Sequence, residues 1–281
     1  MSGLNAVDRR IESALQGETL YGDDFSPEEI KAWFVDEMDG YAGLDHVDSL
    51  TEVYHYSALD AAYAWHALPR RPLDIIGLGS AWGSEFKPLA DRVRSLAIVE
   101  PGTKFWRDEI GAIPVKYVMP DPSGRLPFSD ASFDVGTAFA VLHHIPNVSQ
   151  VLGEMARVLR PGGKLFVREP VTSMGDWRRS RRGLTSRERG LPRDFIAQLS
   201  DQLGLDVTQQ RLVGFGPLLN LASRKHGAAP WNSAWFVKID RLLSRATEWN
   251  WSYHRTSLLR RFAPTTGCWV LTKRGDGRNA G

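Results

Sequence analysis

Leu126-Pro-Phe-Ser-Asp-Ala-Ser-Phe-Asp-Val135, running on to Leu142-His143-His144-Ile145, is the stretch on which the reading of this 281-residue chain turns. It follows a glycine-bearing turn, Gly77-Leu78-Gly79, and a second apolar run that stops on Glu100. Candidate strands at 73–76, 96–99, 115–118, 133–139 and 164–167 alternate with amphipathic stretches. Alternation of this kind means βα units and a mostly parallel sheet. Between the last two runs Val148, Val151, Leu152, Met155 and Leu159 form a helical stripe, closed by Pro161-Gly162-Gly163.

Outward from this block the texture changes on both sides. Residues 1–70 read as a helical cap. Ser26-Pro27-Glu28-Glu29 has capping-box spacing with proline at the first helical position. Ile30, Trp33, Phe34 and Met38 then fall on one helix face, and a further helix is expected over about 50–68. After Pro170 comes an arginine-rich stretch, then a helix near 194–203 and two more strand candidates, 206–213 and 268–272. Residues 217–262 separate them as an insertion in which Trp235, Phe236, Ile239, Leu242, Leu243 and Ala246 make an amphipathic helix. The core is therefore expected over 71–216 and 263–273, with a disordered tail at 274–281.

Composition narrows the class. The content is 42% hydrophobic and 24% charged, ordinary for a soluble globular chain. A formal charge of +2 offers no whole-molecule attraction for nucleic acid. Cys268 is the one cysteine, which excludes an internal disulfide and a cysteine-based zinc site. Residues 1–20 carry alternating charges rather than an apolar run, and no apolar stretch is long enough to span a bilayer. The expectation is a cytoplasmic protein with neither a nucleic-acid nor a membrane partner; oligomeric state is not legible.

In an open α/β sheet, ligands sit beyond the carboxyl ends of the strands. The turn after the first strand must let backbone approach the ligand, which favours Gly77 and Gly79. Glu100 follows about twenty residues later, the separation at which an acid meets ribose hydroxyls in dinucleotide folds. Asp121, in a polar loop after the third strand, suits the exocyclic amino group of an adenine. A dinucleotide would want glycine where Trp82 stands, and it leaves the Leu-Pro-Phe block without a role.

From Asp74 to Pro170 the chain resembles the class I S-adenosylmethionine-dependent methyltransferases, in the branch of ubiquinone/menaquinone and small-molecule O-methyltransferases. The resemblance rests on Leu126-Pro-Phe, Ser132-Phe-Asp134, Leu142-His-His-Ile145 and Arg157-Val-Leu-Arg-Pro-Gly-Gly163. It implies a Rossmann-like, doubly wound seven-stranded α/β sheet of order 3-2-1-4-5-7-6, closed by an antiparallel hairpin. Gly77 and Gly79 would then face the methionine end of the cofactor, Glu100 and Pro101 the ribose side, Asp121 the adenine, and Ala138 the floor. Two departures stand out. Ile75 occupies the usual acidic position, with Asp74 one residue off, and Ala81 replaces the third glycine. A one-residue shift turns a strand side chain to the opposite face.

Transfer of methyl from a sulfonium requires alignment and exclusion of water. A hydroxyl acceptor also needs a base, for which His143 or His144 is suited, with Glu169 placed to share the proton. No metal is expected, for want of a spaced ligand cluster. The arginines 178, 179, 181, 182, 187 and 189 read either as an anion clamp or as a solvated loop. Acceptor contacts are expected among Arg178, Trp235, Tyr253 and His254, with Trp231, Trp249, Trp251, Tyr54 and Tyr56 as further candidates. The expected function is O-methylation of a small-molecule hydroxyl on a sugar or secondary metabolite. The alternatives are C-methylation of an aromatic or quinone-like ring, and a non-catalytic cofactor-binding partner.

Overall fold

In the computed structural model, residues 6–43, 54–181, 183–185, 187–222 and 229–275 are described. Helices Ala6–Gln16 (α1), Pro27–Gly43 (α2) and Ser57–Tyr63 (α3) precede the sheet. Its strands are Leu73–Leu78 (β1), Val93–Val99 (β2), Glu109–Ile110 (β3), Ile113–Val118 (β4), Phe133–Phe139 (β5), Leu159–Pro170 (β6), Leu205–Phe215 (β7) and Pro264–Lys273 (β8). They lie in the order β3-β4-β2-β1-β5-β6-β8-β7. Strands β4, β2, β1, β5 and β6 run parallel, and β8 is antiparallel to both of its neighbours.

Without the two-residue β3, this is the expected order. The eighth strand is a short edge hairpin. Glu109 and Ile110 pair back onto Pro114 and Ile113, and Gly111 takes a φ of +63° at the first loop position. That left-handed conformation is one glycine adopts freely.

Strand β1 is buried along its whole length. Ile76 and Leu78 face a core layer shared with Val148–Val158 (α4) and Phe195–Gln202 (α5). Leu73 and Ile75 face the opposite layer, with Trp65, Phe86 and Phe166. A run apolar on both faces suits a strand covered on both sides. The β1–β2 crossover is a 3-10 segment, Ser84–Arg92, interrupted by Pro88, rather than an α-helix. The insertion folds as Gly216–Ala222 (α6) and Ala234–Thr247 (α7).

The expected helix over 50–68 is found as α3 and a 3-10 turn, Trp65–Ala67, and residues 50–53 lie outside the described set. Arg274, expected in a disordered tail, is ion-paired with Asp201 and Asp206. Residues 276–281 lie outside the described residues.

Helix α2 starts as its sequence dictates. The Ser26 amide donates to Glu29 Oε2 at 2.8 Å, and the Glu29 amide donates to Ser26 Oγ at 3.3 Å. This reciprocal pair satisfies two amides that have no partner inside the helix. Ser26→Ala is expected to cost about 1 kcal/mol of stability. The measurement is the urea midpoint at constant slope, and an unmoved midpoint would mean that the helix start does not depend on the cap.

Candidate active site

A cavity lies beyond the carboxyl ends of β1, β2 and β5, with α2 as its roof. Gly79, Glu100, Pro101 and Asp121 line one part of it; Ile30, Phe34, Glu37 and Met38 line another, with His144. The Glu100 carboxyl is buried and accepts the amides of Ala81 at 2.9 Å and Gly102 at 2.8 Å, one on each oxygen. Burial raises its pKa, and the two amides act against that rise. Each oxygen has a second lone pair for a further donor. Gly79 has a φ of +62°, and a Cβ there would meet Val141 Cγ2 at 2.2 Å. The close approach and the left-handed backbone both require glycine.

Asp121 is exposed and accepts the Ser123 amide at 2.8 Å; hydrogen bonding from the Ser123 side chain, then from its amide, holds the Asp121 pKa below the ordinary carboxylate value. Gly77 and Ala138 lie within their strands and are not on the cavity wall; Ala140 and Val141 line it instead. Asp74 does not reach the cavity at all. It stands at the opposite end of β1, beside a register shift at Leu73/Asp74, where its carboxylate meets Arg94 Nε at 2.9 Å and Ser95 Oγ at 2.7 Å. Ala81 stands where the third glycine was missing and takes a φ of +41°. Its amide is one of the two that Glu100 holds, which fixes this strained residue in place.

The paired histidines have different environments. His143 is buried and meets Glu169 Oε2 through Nδ1 at 2.7 Å. Burial lowers its pKa, helped by neighbouring His144. Glu169 is fully buried, and its other oxygen accepts the amides of Val141 and Leu142, both at 2.7 Å. It therefore shapes the loop after β5 and does not face the cavity, contrary to the sequence expectation. His144 does line the cavity. Its Nδ1 lies 2.9 Å from Glu37 Oε2 and 3.6 Å from Glu188 Oε1. The two rings sit 4.1 Å apart.

Loop and roof are joined. Trp33 Nε1 donates to the His144 carbonyl at 2.8 Å. The buried Arg189 guanidinium donates to the carbonyls of Tyr21, Leu142 and Ile145. So one member of the arginine run is an internal clamp. Arg178 pairs with Asp176 and Glu12, Arg187 with Asp36, and Arg182 lies outside the described residues. Arg179 is 84% exposed, so the described members of the run differ in environment from solvated to internal.

The other expected acceptor contacts lie off the cavity wall. Trp235 is 72% exposed. Tyr253 is buried and donates to the Gly190 carbonyl at 2.7 Å, and His254 bonds Ser173 Oγ at 2.8 Å. Tyr54 hydrogen-bonds Asp60 and Arg168, while the Arg168 guanidinium stacks 4.0 Å from the Tyr56 ring. Trp231 packs on Phe236, Trp251 donates to the Val171 carbonyl, and Trp249 is exposed. Glu37, Glu188 and the apolar roof were not singled out as site residues. The stripe of Ile30, Phe34 and Met38 was the available signal.

Glu37, His144 and Glu188 also correct the expectation that no ligand-type cluster exists. Their ligand atoms lie within 4.8 Å of one another, a grouping that could hold a divalent cation. Within it Thr185 Oγ1 donates to Glu37 Oε1 at 2.7 Å, and Glu37 Oε2 faces His144 Nδ1.

Glu85, just past the glycine turn, is fully buried, and burial pushes its pKa up to about 7 from 4.5. The folded state therefore binds this proton more tightly than the unfolded chain. Its contribution is most favourable below about pH 4.5 and is lost as the pH rises to about 7. Glu85→Gln is expected to flatten stability across that window. Denaturant titrations at several pH values check this; parallel curves for the two proteins would exclude Glu85 as the titrating group.

Comparison with known proteins follows the same geometry. Residues 76–167 match the family model described as a methyltransferase domain. A demethylmenaquinone methyltransferase of Renibacterium salmoninarum is 30% identical over 154 residues, 52% of this chain and 60% of that protein. The 27-O-demethylrifamycin SV methyltransferase of Amycolatopsis mediterranei is 58% identical over 41 residues, 15% of each. The matches thus span less than two thirds of these relatives' length. The 1,6-didemethyltoxoflavin-N1-methyltransferase of Burkholderia thailandensis superposes with a TM-score of 0.51 at 13% identity. That superposition covers 89% of this chain and 92% of the other, and at this identity the likeness is one of fold.

Proposed function

Because residues 76–167 are a class I S-adenosylmethionine-dependent methyltransferase domain, we propose that the chain methylates a hydroxyl of an apolar small molecule bound beneath α2. S-adenosylmethionine, when bound, supplies an activated methyl group on a sulfonium. Glu100 would hold the ribose hydroxyls with the lone pairs left by Ala81 and Gly102, a charge-assisted contact. Asp121 would accept from the adenine amino group. Ile30, Phe34 and Met38 exclude water and favour a flat apolar acceptor over a bare sugar.

The observation that carries the reading is His144 on the cavity wall with Glu37 at its Nδ1. We assign the Nδ1–H to Glu37, which leaves Nε2 as the nitrogen with the lone pair. That nitrogen takes the hydroxyl proton, and Glu37 and Glu188 stabilise the imidazolium that forms. His143 and Glu169 are positioning residues, acting through the loop and not on the acceptor.

Carbon methylation of a quinol ring is the second reading, favoured by the menaquinone relative with its longer match. The test is incubation with methyl-13C-labelled S-adenosylmethionine and a panel of phenols, naphthols and quinols. A labelled O-methyl product is expected. Label on ring carbon would move the assignment to the second reading. Failure to bind the cofactor in calorimetry would remove both.

A further inference from the structure

Helix α7 shows water an unusual face. Trp235, Leu242 and Trp249, the last in the 3-10 turn Glu248–Asn250, are 72%, 66% and 82% exposed. They recur every seven residues, so they form one stripe along the helix. Exposed Lys238 and Arg245 alternate with them in the same stripe. The opposite face of α7 is already used: Phe236, Val237, Asp240 and Ser244 are buried against the body. A second apolar group adjoins its end. Asn250 Nδ2 donates to the carbonyls of Leu259 and Phe262, which brings in exposed Leu258, Leu259 and Phe262 with Arg260 and Arg261.

Charge selects the occupant. Residues 234–263 include Lys238, Arg241, Arg245, Arg255, Arg260 and Arg261 against two acids, and one of those, Asp240, is buried. A second copy of the chain, docked by a two-fold axis, would bring these cations face to face. A surface of tryptophan, leucine and phenylalanine interleaved with lysine and arginine fits the headgroup layer of an anionic bilayer instead. Among the described residues no helix is long and apolar enough to cross a membrane, so contact would be from one side. We propose that α7 and the 258–262 turn dock the protein on anionic lipid surfaces. This departs from the sequence expectation of no membrane partner, and it is independent of the reaction catalysed.

The test is co-sedimentation of the whole chain with sucrose-loaded vesicles of phosphatidylcholine, with and without one quarter phosphatidylglycerol. Binding to the anionic vesicles, its loss in high salt and a blue shift of tryptophan emission are expected. Each lost cation should weaken binding roughly fivefold, so Lys238→Ser/Arg245→Ser/Arg260→Ser should weaken it about 100-fold. Trp235→Ser/Trp249→Ser should abolish the emission shift. Equal binding to neutral and anionic vesicles, or none to either, would overturn the proposal. So would light scattering that shows a dimer which the double tryptophan variant converts to monomer, or a soluble acidic protein that outcompetes the vesicles.

Discussion

His144→Gln is expected to lower kcat by about 10²–10⁴ while KM for the acceptor changes little. The glutamine retains a hydrogen-bonding group opposite Glu37 but cannot take a proton at neutral pH. The lost step is proton removal, so the effect belongs to turnover and not to binding. Glu37→Gln should behave as a milder version, since it removes the group that orients the ring and stabilises its charge. Its loss should be about tenfold. An His144→Gln enzyme with kcat within threefold of wild type would exclude the base role.

Glu100→Gln is expected to raise the dissociation constant for S-adenosylmethionine by about 10- to 100-fold, in line with the loss of hydrogen bonds to a charged group. In the proposed complex the carboxylate would serve four donors: two amides of the protein and two hydroxyls of the ligand. Glutamine can accept through only one of its two terminal atoms. Either Ala81 or Gly102 then faces an NH₂ group, and the positive-φ conformation of Ala81 loses its anchor. Calorimetry on the variant checks the affinity, and circular dichroism checks that the fold survives. Undiminished affinity would place the ribose elsewhere.

The parts of the fold legible in the sequence were those where one residue type has one physical use. The apolar runs and the capping box at Ser26 each had a single reading, and the strand order followed from the resemblance. The place of Glu100 on the cavity wall was legible because strand and acid coincide at one end of one sheet. The acceptor side was not. His143 and His144 are adjacent in the chain, yet burial against Glu169 separates them in environment, and burial is a property of the assembled molecule. Glu37, His144 and Glu188 lie far apart in sequence and meet only when the N-terminal helices close over the sheet. Tryptophan richness misled for a related reason. A tryptophan on an amphipathic helix can face the body, the cavity or the outside, and the seven-residue spacing of Trp235, Leu242 and Trp249 selected the outside.

Trp33 and Arg189 tie the helical roof to the loop that carries His144, and that roof lies ahead of the segment that matches the methyltransferase-domain model. With the acceptor beneath that roof, as proposed, substrate preference would be separable from the donor machinery along the chain. Descendants could exchange one short leading stretch and acquire a new chemical target while the handling of the methyl source stayed untouched.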